Sequence, residues 1–148
     1  MSSSRGKFFE VGRELLLQEL LGYELGLTEE EDLWPHLKEV LPKSDRVKRH
    51  IKRLLNSYLE NREGIDSWID NNLKSKSFAA YSDLEKMIMR LAVVETRFYG
   101  DEKMMPIIVS TWVDIAKRYV DESFAKAVHA IMGTCYEEYH ADTGLPKS

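Results

Sequence analysis

The residues best suited to catalysis are His129 and the single cysteine, Cys135. They lie six residues apart in a segment with helical spacing, which places them on divergent faces more than one turn apart. Cys135 falls at a core-spaced position, which favours an inert buried thiol over a nucleophile. The chain has no Gly-rich phosphate loop, no His-Glu-x-x-His pair and no nucleophile elbow. We therefore expect no catalytic site, no metal site and no cofactor.

The clearest charge feature lies between Lys43 and Arg53, where Asp45 is the one acid. On a helix, four of these cations lie on or beside one stripe, and we call this group the basic stripe: Arg46, Arg49, Lys52 and Arg53. Three interpretations remain open. The stripe is a solvated face, a site for phosphate or an acidic partner, or a self-association surface facing the acidic run Glu29 to Asp32.

A second basic group consists of Lys117 and Arg118, followed by Tyr119, with Lys126 nine residues after Lys117. It falls where the last two predicted helices meet. A cation pair beside an exposed aromatic ring binds phosphate and stacks an unpaired base. Tyr119 could equally be a core residue, so this signal alone leaves both interpretations open.

Helical periodicity dominates the elements that must position these residues. We predict a first helix from about 8 to 25, a second that opens with a Thr28–Glu31 capping box, and a third from 44 or 45 to just before Gly64, with helical spacing resumed after it. A fourth helix opens with a Ser82–Glu85 capping box, a fifth begins at Pro106, and a last one begins at about 121. The same spacing predicts the core residues Leu16, Leu20, Leu54, Ile69, Ile88, Leu91, Trp112, Ile115, Val128 and Ile131.

Length and composition limit the class of protein. The chain has 148 residues, of which 43% are hydrophobic, and a formal net charge of −4. This length suits one domain, which we divide into a flexible arm (1–7), a helical domain (8–140) and a frayed tail (141–148). No apolar run is long enough to span a membrane and the amino terminus has no secretory h-region, so we expect a soluble, cytoplasmic protein with no membrane association. The acidic balance argues against indiscriminate nucleic-acid binding.

Five segments carry a family resemblance in their order and spacing: Gly12 to Leu25, Ile65-Asp66 with Ile69 and Leu73, Leu84 to Glu95, Val113 to Tyr119, and Lys126 to Val128. Together they cover nearly the whole domain and resemble the NusB family of transcription antitermination factors. The resemblance implies an all-α fold, a single NusB-like domain of about six to seven helices in two packed helical sub-bundles.

The resemblance also implies a function and its residues. The factor would bind boxA-type single-stranded RNA together with the small-subunit ribosomal protein NusE, within the RNA polymerase antitermination complex. The implied RNA-binding residues are Arg5, Lys7 and Arg13 of the amino-terminal segment and Arg118, Tyr119 and Lys126 of the helix junction. Leu84, Glu85 and Ile88 would face the protein partner. Leu84 and Ile88 are also core-spaced, and Glu85 also completes a capping box.

The sequence departs from the family pattern at Phe9, Glu10 and Val11, where the family carries an Arg-rich run. About three phosphate contacts are thereby lost, so we expect weak RNA binding that the partner strengthens. The main alternative is a NusB-like scaffold that acts as a protein-interaction module or homodimer, with RNA binding lost and the Lys43 to Arg53 segment as one contact surface. A third is a fragment related to the NusB-like accessory domain of some RNA-modifying enzymes.

Overall fold

The computed structural model describes residues 3–140, with side chains from Gly6 onward. Its helices are α1 (Ser3–Glu24), α2 (Glu30–Val40), α3 (Asp45–Asn72), α4 (Asp83–Tyr99), α5 (Met105–Tyr119) and α6 (Glu122–Tyr139), with a short 3-10 turn at Phe78–Ala80. Residues 3–140 include no β-strand, and the all-α prediction is confirmed. None of the helices in this range combines the length and apolar character needed to cross a membrane.

Three helix boundaries differ from the predictions. Helix α1 begins at Ser3, earlier than the predicted start near Phe8. The capping box predicted at Thr28 is wrong, because the residue before α2 is Glu29 and its side chain makes no capping hydrogen bond. Helix α3 passes through Gly64, where we predicted a stop. A helical glycine costs only about 1 kcal/mol relative to alanine, and the buried Tyr58, Ile65 and Ile69 keep one face continuous across it.

The chain forms two compact units, with the boundary between Leu59 and Glu60. The first unit contains α1, α2 and the first half of α3. The second contains the rest of α3, the 3-10 turn and α4 to α6. The tail at 141–148 lies outside the described residues, and the division into arm, domain and tail stays a prediction.

The first unit is held by close packing of α1 on α3 and by polar contacts at the helix ends. A Cβ on Gly12 would lie 3.0 Å from the side chain of Ile51, so only glycine fits this approach without a shift. The Tyr58 hydroxyl donates a hydrogen bond to Glu24 at 2.6 Å. A hydrogen bond at 3.0 Å between His36 and Glu19 joins α2 to α1 and raises the pKa of His36.

The second unit packs α4, α5 and α6 against one another around a buried polar contact. The Trp112 indole donates a hydrogen bond to the buried Glu95 carboxylate at 2.8 Å. Two nearly parallel hydrogen bonds at 2.7 and 2.9 Å join Arg90 of α4 to Asp66 of α3. All ten predicted core residues, from Leu16 to Ile131, are buried in one unit or the other, so that prediction is confirmed.

The Ser82 capping box is confirmed and generates a stability test. The Ser82 hydroxyl accepts the Glu85 N–H at 3.1 Å, and the Glu85 carboxylate accepts the Ser82 N–H at 2.8 Å. We expect Ser82→Ala to lower the free energy of unfolding by about 0.5–2 kcal/mol in urea denaturation. Ser77 is the matched control, because it precedes the 3-10 turn without a side-chain capping bond. Equal losses for Ser82→Ala and Ser77→Ala would contradict the capping role.

Burial of Cys135 generates a second test. Its thiol lies 3.6 Å from the Val93 carbonyl oxygen with no solvent exposure, and burial raises its pKa to about 12. At pH 8 the thiolate, which is the reactive species, is then only about one part in ten thousand. We expect a disulfide reagent such as Ellman's reagent to leave the folded protein unlabelled and to label one thiol per chain in denaturant. Rapid labelling of the folded protein at pH 8 would contradict this.

Candidate nucleic-acid interface

The predicted RNA-binding residues of the second unit lie where α5 ends and α6 begins. Only Val120 and Asp121 separate the two helices. The Val120 N–H bonds to the Ala116 carbonyl at 3.0 Å, and the Asp121 carboxylate accepts the Phe124 N–H at 2.8 Å. Both helix ends are therefore capped. We call this link, with Arg118, Tyr119 and Lys126, the α5–α6 junction.

The α5–α6 junction presents a cation beside an aromatic ring. The Arg118 guanidinium lies 5.7 Å from the centroid of the Tyr119 ring, and its Nε bonds to the Asp114 carboxylate at 2.9 Å. The Tyr119 side chain is 40% exposed, which excludes the alternative that it belongs to the core. A planar cation and an accessible ring at this distance suit a stacked base.

The charges at the α5–α6 junction are unequally neutralised. Asp114 holds Arg118, and Lys117 lies 3.6 Å from Glu122. Lys126 is exposed and makes no hydrogen bond or ion pair with any residue in the described range. Lys126 is therefore the cation of this group that is best placed to meet a phosphate.

Two further lysines, which we did not predict from the sequence, lie near the start of α6. The Lys76 ammonium stands 4.2 Å from the Tyr81 ring, and Tyr81 packs at 5.9 Å against Phe124 in the first turn of α6. Lys74 lines a groove of about 140 Å³ together with Ala127 and Ala130 of α6. The sequence feature that could have identified these lysines is the Lys- and Ser-rich segment that leads to Phe78 and Tyr81.

The residues predicted in the amino-terminal segment separate into different environments. Lys7 is exposed on α1, and the side chain of Arg5 lies outside the described residues. Arg13 is only 2% exposed, because it shares a helix face with the buried Leu16 and Leu17. A guanidinium at this depth is not available to a phosphate, so Arg13 is left out of the proposed surface. Its spacing from the leucines could have revealed this.

The predicted partner-binding residues lie on the first turns of α4. Ile88 is fully buried, so its side chain cannot face a partner and it too is left out. Leu84 is half-buried. Glu85 is half-buried and caps the helix, as one of our two interpretations held. Leu84 and Glu85 remain as candidates for contact with a protein.

The basic stripe lies on the first half of α3, and all four of its side chains are exposed. The two residues considered for catalysis differ in access, since His129 is exposed whereas Cys135 is buried. Among residues 3–140, no group of three or more His, Cys, Asp or Glu side chains is placed to hold a metal ion.

Comparison with known proteins identifies the family. Residues 11–137 match the NusB family. A transcription antitermination protein NusB of Chloroherpeton thalassium is 27% identical over 140 residues, which cover 92% of this chain and 64% of that protein. The same-named protein of Bacillus cereus strain B4264 is 26% identical over 120 residues, which cover 81% of this chain and 90% of that one.

Solved structures show the same fold. The NusB of T. maritima superposes with a TM-score of 0.72 at 26% identity, covering 88% of this chain and 92% of that one. A complex of antitermination factors NusB and NusE with double-stranded RNA gives a TM-score of 0.74 at 22% identity, covering 90% and 98%. The latter likeness shows the fold alone. With the match over residues 11–137, the resemblance seen in the sequence is confirmed, and the chain belongs to the NusB family.

Proposed function

We propose that this protein is a transcription antitermination factor that binds single-stranded boxA-type RNA together with a NusE-type ribosomal protein, in the cytoplasm and without catalysing a reaction. The observation that carries the proposal is the exposed Arg118–Tyr119 pair beside Lys126, which has no ion pair with any described residue. Family membership supports it, as does the shared fold with a NusB that was solved with NusE and RNA.

The α5–α6 junction suggests how a strand is held. An unpaired base stacks on the Tyr119 ring, where Arg118 lies alongside, and a backbone phosphate meets Lys126. Lys74 and Lys76 add positive charge beside the first half of α6. Stacking and phosphate contact both tolerate changes of base, so this surface accounts for affinity better than for sequence choice.

A protein partner has a specific role in this proposal. The buried Arg13 and the replacement of the family's arginines by Phe9, Glu10 and Val11 leave α1 with few phosphate contacts. We therefore expect the RNA affinity of the protein alone to be weak and a NusE-type partner, docking near Leu84 and Glu85, to strengthen it within the polymerase complex.

One observation favours a second candidate function. Phe8 is 45% exposed and Val11 41% exposed, one turn apart on α1. Apolar side chains at these positions suit a protein contact better than a phosphate. The second candidate is a protein-interaction module that has lost RNA binding, and a chain that binds a NusE-type protein but no RNA in either its free or its partner-bound state would establish it.

The phosphate contact of Lys126 is tested by Lys126→Ala. Loss of one contact should weaken binding of a fluorescent boxA-like strand and lower the slope of log affinity against log salt by about 0.7. Fluorescence anisotropy at several salt concentrations, with and without the partner, measures both quantities. Lys103→Ala is the matched control, because Lys103 is an exposed cation of the same unit before α5. Equal slope changes for the two variants would contradict the contact.

The stacking role of Tyr119 is tested by Tyr119→Ala, which should cost about 1–3 kcal/mol of RNA binding with little change in salt slope. Tyr119→Phe is the control, because it keeps the ring and removes only the hydroxyl. We expect the Phe variant to bind nearly as well as the wild type. If Tyr119→Ala binds normally, or if its main effect is on the salt slope, no base stacks on this ring.

A further inference from the structure

Three of the four cations of the basic stripe lack a partner among the described side chains. Arg46, Arg49 and Arg53 are exposed, and no residue in the range 6–140 forms an ion pair or hydrogen bond with their side chains. Lys52 lies 5.3 Å from the Trp34 ring of α2. Asp45, the one acid on this segment, also has no ion pair within the described part of the chain. The stripe therefore keeps its positive charge.

This arrangement differs from that of two arginines of the second unit, Arg90 and Arg118. There, Arg90 is held by Asp66 and Arg118 by Asp114. Like charges three and four residues apart repel one another on a helix and destabilise it. No ion pair within the described first unit offsets this repulsion at Arg46, Arg49 and Arg53, so an anion that binds from outside would relieve it.

The spacing of the stripe suits an extended polyanion. Three of its members, Arg46, Arg49 and Arg53, lie within about 60° of one another around α3 and span about 10.5 Å along its axis, at 1.5 Å per residue. Lys52 extends the row toward the half-buried Trp34. A row of guanidinium groups on one rigid helix meets several charges of the same ligand at once.

The side chains around the stripe favour a nucleic acid over a protein as its ligand. Between residues 45 and 58, every exposed side chain is polar, since the apolar ones are buried: Val47, Ile51, Leu54, Leu55 and Tyr58. A stable protein interface has an apolar or aromatic centre, which this face lacks. Contact with a sugar–phosphate backbone requires only cations and polar groups.

We infer that the basic stripe is a second RNA-contact surface, on the first unit, that binds backbone phosphates without regard to sequence. The inference rests on the proposed function, since it assigns additional phosphates of the same RNA to a different helix, α3. If the protein binds RNA as proposed, the stripe also compensates for the family's arginines that are absent before Gly12. The stripe supplies phosphate contacts from α3 in their place.

The test compares two double variants of equal charge. Arg49→Gln with Arg53→Gln removes two proposed phosphate contacts, whereas Lys38→Gln with Lys103→Gln removes two exposed cations outside both proposed surfaces. The probe is a fluorescent single-stranded RNA without stable secondary structure, titrated by anisotropy at several salt concentrations with and without the partner. Circular dichroism verifies that each variant keeps its helical content.

We expect the arginine variant to lower the salt slope by about 1.4, which on extrapolation to 1 M salt corresponds to about 25-fold weaker binding at 0.1 M. The lysine variant should leave the slope close to that of the wild type. Equal slope changes in the two double variants would mean that only net charge acts, and they would overturn the inference.

The failure of the inference is distinguishable from failure of the proposed function. If Lys126→Ala lowers the slope and the arginine variant does not, the stripe inference is wrong and the proposed function stands. If the wild type binds no RNA in either condition, both are wrong. If the arginine variant instead dissociates a dimer in sedimentation and keeps the wild-type salt slope, the stripe serves self-association and the inference is overturned.

Discussion

The buried carboxylate of Glu95 is the polar group on which packing of the second unit depends. A carboxylate without solvent contact is costly unless it is hydrogen-bonded, and the Trp112 indole donates to it at 2.8 Å. This bond ties α4 to α5 at a defined rotation of each helix, while apolar side chains fill the space around it. Tyr119 lies two turns after Trp112 on α5, so the helix that this bond orients also carries Tyr119 to the α5–α6 junction.

The two proposed RNA surfaces differ in how their charges are balanced. At the α5–α6 junction, Asp114 and Glu122 neutralise part of the positive charge, and exposed ion pairs of this kind add little stability. What distinguishes this surface is the Tyr119 ring beside a fixed guanidinium. The basic stripe has stronger net charge and a single half-buried ring, Trp34, at its edge. In the proposed function, base stacking belongs to the second unit, whereas the first unit contributes charge attraction alone.

The sequence by itself determined the fold class, the family and most of the core. The spacing of apolar residues fixes which face of each helix is buried, because one helical period applies whatever the helix packs against. All ten predicted core positions were correct for this reason. Local sequence patterns also predicted helix starts correctly. The capping box at Ser82 needs only Glu85 three residues later, and Pro106 lies in the first turn of α5.

Only the tertiary structure decided which polar and ambiguous residues remain accessible. Thr28 has the pattern of a capping box, yet α2 begins after Glu29, whose side chain makes no capping hydrogen bond. Gly64 stays helical because packing on both sides outweighs its low propensity. The closeness of Lys76 to α6 arises from Tyr81 packing on Phe124, a contact between segments far apart in sequence. Periodicity assigns a residue to a face, whereas its exposure depends on which neighbour covers that face.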